Sequence, residues 1–194
     1  MNFSILFATT AALLGIVGVI PYLRDIFRRK TTPHIYTWFI WMTLQATGFS
    51  LMVSEGAGAG ALSTGIWAGI NAFIFVLSFK YGTTNIRVFD TVCLIGALLA
   101  TALWFLLHDA LLSIIVVSVI DVLAYIPTFR KAYVEPYSET ISMYILGGIS
   151  CIFSLLALST FSVTTSLYLI VVCVSNFAGV GLVWFRRRGL YLRK

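Results

Sequence analysis

Seven runs of about twenty mostly apolar residues, joined by short polar connections, fill nearly all of this 194-residue chain. A helix needs about 20 such residues to cross the hydrocarbon core of a bilayer. The runs lie near 3–23, 34–54, 61–81, 88–107, 110–129, 140–159 and 165–185, and only "LHDA" (107–110) parts the fourth from the fifth. Charged residues make up 10% of the chain, against about 25% in a typical soluble domain. So little charge cannot coat a water-facing surface, and the expected fold is an all-α integral membrane protein with seven transmembrane helices. The first run has no basic n-region and no clear small-residue cleavage site, so it is expected to remain as a span and not to serve as a signal peptide.

The cations test this count. Arg24, Arg28, Arg29 and Lys30 follow the first run, Lys80 and Arg87 the third, Arg130 and Lys131 the fifth, and Arg186, Arg187, Arg188, Arg193 and Lys194 the seventh. With seven spans, all thirteen Lys and Arg fall on one side, which the positive-inside rule makes cytoplasmic. The N-terminus is then expected outside and the C-terminus in the cytoplasm. The net charge of +6 reflects topology and anionic lipid, and no nucleic-acid partner is expected. Trp38, Tyr133, Tyr137 and Trp184 fall near the expected interfaces as an aromatic belt. "EGAGAGA" (55–61) reads as a flexible outer turn. Cys93, Cys151 and Cys173 all sit in apolar runs and read as small buried hydrophobes, not as a disulfide framework.

The chain also repeats itself. "PYLRDIFRRKTTPHIYTW" (21–38) aligns with "PTFRKAYVEPYSETISMY" (127–144) at a shift of 106. Pro21 meets Pro127, Arg24 meets Arg130, Thr32 meets Ser138, Ile35 meets Ile141 and Trp38 meets Tyr144. All four prolines of the chain, Pro21, Pro33, Pro127 and Pro136, fall in these two segments. Asn71 and Asn176, each mid-run, differ by 105. Spans 1–3 therefore correspond to spans 5–7 in parallel orientation, with span 4 as the inverting linker. The expected organisation is a first three-helix repeat over 1–83, linker helix 4 over 84–109, and a second repeat with a basic tail over 110–194. Sites in such folds lie between the repeats near the bilayer midplane.

This 3+1+3 plan, with a proline, a short basic loop and a Ser/Thr-rich opening in each half, resembles the SWEET and PQ-loop transporters. Tyr22 and Thr128 stand where PQ-loop proteins carry glutamine, so the chain would be a divergent relative. The resemblance implies alternating access, Pro21 and Pro127 as hinges, and Asn71 and Asn176 facing a central pocket. Trp67 lies one turn before Asn71, whereas Val172 holds the equivalent place before Asn176.

Each candidate has a plainer reading. Pro21 and Pro127 can be static kinks, since proline frees a carbonyl in any membrane helix. Asn71 and Asn176 can be interhelical glue. Asp121 is the one acid well inside a span, and a charge there is costly and marks a candidate functional residue. Its alternatives are cavity polarity, a structural hydrogen bond, or proton coupling, and its repeat position is held by Gly15. Gln45 lines the pocket or joins helices. His34 suits an interfacial role, and "GIWAG" (65–69) suits close helix packing.

No catalytic constellation emerges. A second intramembrane aspartate, a matched Ser/His pair and a His/Cys/acid cluster with metal spacing are all missing from the sequence, so neither enzyme activity nor a metal or cofactor is expected. The expected function is a small polar metabolite transporter, a uniporter or a proton-coupled carrier, in a bacterial inner membrane. A non-transporting receptor, sorting or assembly protein on the same scaffold is the alternative. Expected partners are the lipid bilayer and a small-molecule substrate, with a homo-oligomer left open.

Overall fold

The computed structural model of the chain describes residues 3–33, 35–82, 88–107, 109–134, 136–138 and 140–191. The expected role of His34, and the cations Arg87, Arg193 and Lys194, lie outside the described residues. Among the described residues the fold is helical: α1 (Phe3–Phe27), α2 (Ile35–Ser54), α3 (Leu62–Tyr81), α4 (Val88–Leu107), α5 (Ala110–Val134), α6 (Ile141–Leu156) and α7 (Val163–Tyr191). Short 3-10 turns occupy Gly58–Ala61 and Pro136–Ser138. Three stretches, Phe3–Phe27, Gly58–Tyr81 and Val163–Tyr191, are long and apolar enough to cross a membrane, and Ala110–Ile126 and Ile141–Leu156 are shorter apolar helices. These spans make the chain a membrane protein.

The distribution of side chains agrees. Leu13, Val17 and Ile20 on α1, Val119 and Val122 on α5, and Val174 on α7 are exposed, whereas Ser150, Ser154, Thr165 and Asp121 are buried. An aqueous domain buries the first kind and exposes the second. A bilayer offers hydrocarbon to the outer face, so polar groups find partners only inside the bundle.

Several helices outrun their apolar cores. α1 continues through Pro21 to Phe27, α5 extends to Val134 and α7 to Tyr191. The backbone ladder needs no apolar side chain to continue, and Arg24 and Arg188 in the last turns complement the helix dipole. α1 ends where Arg29 takes a left-handed φ of 55°, and the Lys30 amide donates to the Asp25 carbonyl at 2.9 Å.

The packing order is the same in both halves. α3 touches both α1 and α2, and α7 touches both α5 and α6. Among the described residues the α1 and α2 backbones do not pack closely, nor do those of α5 and α6, although the Tyr22 ring of α1 reaches Trp38 of α2. The halves meet where α1 packs on α6 and α2 on α5, while α4 lies against α2 and α5. The α1 seam is built from small residues, with Ala8, Ala11, Ala12, Gly15 and Gly18 buried along one face. A Cβ on Gly18 would lie 3.0 Å from the Leu146 Cβ, and the Ser150 hydroxyl donates to the Ala11 carbonyl at 2.7 Å. Small residues let backbones approach, which is how helices associate where no hydrophobic effect drives them together.

At one end the α2–α3 and α6–α7 connections meet. The Ser159 amide donates to the Ala57 carbonyl at 3.0 Å, and the hydroxyls of Ser63 and Ser154 pair just inside. The expected flexible turn at 55–61 is therefore an ordered one. Gly56 and Gly58 supply φ of 76° and 59°, and Gly60 is buried against Leu158. The cation-bearing ends are built differently. Arg29 and Lys80 lie over the Tyr81 ring at 5.1 and 5.4 Å, and Arg186 lies over Tyr133 at 3.9 Å. Arg186 and Arg187 also donate to the carbonyls of Tyr133 and Pro136, at 2.9 and 3.1 Å through their Nε atoms. Tyr133, Tyr137 and Trp184 are exposed as a belt requires, but Trp38 is buried, packed at a tilt against Tyr22 and edge-on to Trp41 at 5.2 and 5.3 Å. Its apolar body is better covered by two rings than by headgroups.

The two glycine environments give a stability test. A Cβ on Gly60 would come 2.8 Å from the Leu158 Cα, whereas one on Gly69 would meet nothing within 4 Å. Gly60→Val should cost about 1–3 kcal/mol by overpacking. Gly69→Ala should be neutral or stabilise by up to about 1 kcal/mol. Unfolding of both variants in mild detergent, followed by circular dichroism, measures the contrast.

Candidate binding site

The buried face of α5 repeats at helical spacing: Ile114, Val117, Ser118, Asp121, Ala124 and Tyr125. Asp121 is 1% exposed at the centre of that face. α7 brings Tyr168, Val172 and Asn176 along one matching stripe, all buried. α2 supplies the third wall with Trp41, Leu44 and Gly48. Gly48 lets the Tyr168 ring pack close to the α2 backbone, where a Cβ would lie 3.1 Å from it.

Two layers result. In the first, the Tyr168 hydroxyl faces the Asp121 carboxyl without closing a hydrogen bond of normal geometry, so Asp121 Oδ2 and the hydroxyl are both unpaired. In the second, Asn176 Nδ2 donates to the Val172 carbonyl at 2.8 Å and to the Tyr125 hydroxyl at 3.4 Å. The Trp41 ring lies 5.4 Å from that of Tyr125. Gly147 on α6 leaves room for the amide, since a Cβ there would sit 3.0 Å from Asn176 Oδ1. The Asp121 carboxyl lies near the side chains of Tyr125, Tyr168 and Cys151.

Other described hydroxyls in the bundle find partners. Thr43, Thr47, Ser78 and Ser154 each donate to the carbonyl four residues earlier, at 2.8–3.0 Å. The buried side-chain atoms without a partner, among the described residues, are Trp41 Nε1, Ser118 Oγ, Asp121 Oδ2 and Tyr168 Oη. All four belong to α2, α5 and α7. Buried polar atoms are normally paired, so this concentration of unmet capacity is the chemical signature of the site.

The sequence candidates divide accordingly. Asp121 and Asn176 both lie at this contact: Asn176 donates to the Tyr125 hydroxyl, and Tyr125 stands one turn after Asp121 on α5. Asn71 is buried on α3, and among the described residues no hydrogen bond links it to this group. Trp67 is half-buried and occupies the space left by Gly15, where a Cβ would lie 2.9 Å from its indole nitrogen. Gln45 is half-buried on α2. Pro21 and Pro127 both lie within continuous α-helix. In "GIWAG", Gly65 meets Phe49 at 2.9 Å from a built Cβ, whereas Gly69 meets nothing. Trp41, Ser118, Tyr125 and Tyr168 were missed by the sequence reading. Their signal was present: Ser118 and Tyr125 stand three before and four after Asp121, and Tyr168 eight before Asn176, all spacings that share a helix face.

Structural and unpaired hydroxyls should respond differently to removal. Ser150→Ala deletes a made bond and should cost about 0.6–1.7 kcal/mol. Tyr168→Phe deletes an unmade one and should change stability by less than about 0.5 kcal/mol. Reversible unfolding in mixed micelles distinguishes them.

Comparison with known proteins finds no matching family model, curated protein or solved structure.

Proposed function

We propose that the chain is a multi-pass carrier that moves a small polar metabolite across a cell membrane by alternating access between two three-helix halves, α1–α3 and α5–α7, with α4 as linker. The observation that carries this reading is the position of the unpaired polar groups. Trp41 belongs to the first half, and Ser118, Asp121 and Tyr168 to the second. A site divided between two bodies opens and closes as they move, which is what alternating access requires. The common packing order, with α3 and α7 each between its two neighbours, supports treating the halves as equivalent. The paired connections at Ala57 and Ser159 then form a closed gate at one face. In this reading Pro21 and Pro127 are the hinges, and the SWEET and PQ-loop plan is the nearest architectural likeness.

The cation-bearing ends are assigned to the cytoplasm, with the N-terminus outside. In a cysteine-free background, Glu55→Cys should react with an impermeant thiol reagent added to intact cells, and Arg188→Cys only after lysis. Reversed labelling overturns the orientation.

Transport itself is tested in proteoliposomes loaded with a labelled panel of sugars, amino acids, amines and nucleosides. At least one solute should exchange faster than in empty vesicles. A cysteine pair cross-linking Ala57 to Ser159 should suppress that exchange by about tenfold or more, and reduction should restore it. Absence of exchange for every class, together with co-purification of a stoichiometric membrane partner, would favour an assembly role instead.

A further inference from the structure

We propose that the α2–α5–α7 site binds a small organic ammonium ion carrying an oxygen acceptor, held by the Asp121 carboxylate and the rings of Trp41, Tyr125 and Tyr168. The inference rests on reading this contact as the substrate site, and it adds the substrate's charge.

The charge balance comes first. Residues 31–79, 88–129 and 132–185 contain no lysine or arginine, so α2, the α5 turns around Asp121, and α7 as far as Trp184 provide no cation. Asp121 is nonetheless fully enclosed, with Oδ2 unpaired. A buried carboxyl without a counter-charge must either hold a proton or meet a cation, and a positively charged ligand supplies the cation that the protein omits.

The walls fit the same class. Trp41 and Tyr125 pack at a tilt with centroids 5.4 Å apart, and Tyr125 and Phe129 likewise at 5.5 Å. Tyr168 is clamped against Gly48 with its hydroxyl towards the acid. Aromatic faces beside a carboxylate attract organic cations through the ring quadrupole, most strongly when desolvated. An inorganic divalent ion would need several oxygen ligands, and among the described residues no three His, Cys, Asp or Glu side chains gather.

The remaining unmet atoms specify the rest of the ligand. Trp41 Nε1 can only donate, and the Ser118 and Tyr168 hydroxyls can donate or accept. A ligand hydroxyl or carbonyl oxygen satisfies the indole while its cationic head faces Asp121. A neutral polyol would leave the carboxylate uncompensated.

The probes are choline, ethanolamine and 3,3-dimethyl-1-butanol, the last being choline with a neutral carbon in place of the ammonium nitrogen. Equilibrium binding to the full-length detergent-purified protein should favour choline or ethanolamine over the neutral isostere by about tenfold or more. Asp121→Asn, nearly isosteric, should erase that preference. Trp41→Phe, which keeps a ring but loses the donor, should weaken cation binding while keeping the preference. Equal binding of choline and its isostere, no binding of either cation, or an unchanged preference in folded Asp121→Asn would each overturn the proposal. Flux in proteoliposomes separates the two readings. Cation binding without flux would sink the carrier and leave the ammonium site. Flux of neutral solutes alone, undiminished in Asp121→Asn, would do the reverse.

Discussion

Hydrocarbon offers no hydrogen bonds, and the interior of this bundle follows from that. Water cannot satisfy a serine or threonine within a bilayer, so each hydroxyl must find a carbonyl, another hydroxyl or a partner helix. Thr43, Thr47, Ser78 and Ser154 turn back to their own helices. Ser150 reaches α1, and Thr47 meets Thr101 of α4 at 2.8 Å. The same rule directs apolar side chains outward and small residues to the seams. Against so thorough a pairing, the unpaired atoms around Asp121 stand apart. They are not a diffuse packing error, because they cluster on the three helices that join the halves.

The periodicity of apolar residues made helix positions legible, and helix ends less so. α4 coincides with its expected run at 88–107, whereas α7 continues to Tyr191, because the signal read was apolarity and a helix ends only when its backbone ladder does. The glycine-rich connection misled in a similar way. Its composition suggested mobility, but Gly56 and Gly58 adopt the positive φ that an ordered turn demands. Trp38 was placed by its residue type near an interface, while its neighbours Tyr22 and Trp41 bury it. Such outcomes depend on contacts between distant segments, and local sequence carries little of that information.

The candidate site was half legible for a related reason. Asp121 is conspicuous as an acid in an apolar run, and Asn176 as an amide. Tyr125 and Tyr168 look unremarkable in a chain with nine tyrosines until the helix faces are drawn together. The search for symmetry also drew attention to Asn71, whereas the polar concentration is asymmetric. Where the second half has Asp121, the first has Gly15, whose missing side chain is filled by Trp67. At the position aligned by sequence, the first half packs an aromatic ring and the second places a carboxyl.

The seam between α1 and α6 bears on how the chain is made. Ala11 and Ser150, joined by one hydrogen bond, stand 139 residues apart. α1 is therefore synthesised long before the helix it leans on exists, and its small-residue face waits against lipid or insertion machinery until α6 arrives. Long-range closure of this kind is slow and leaves exposed intermediates. Until α6 arrives, α1 packs only on α3 and the turn that precedes it, so a chain that stops short of α6 leaves the small-residue face of α1 uncovered.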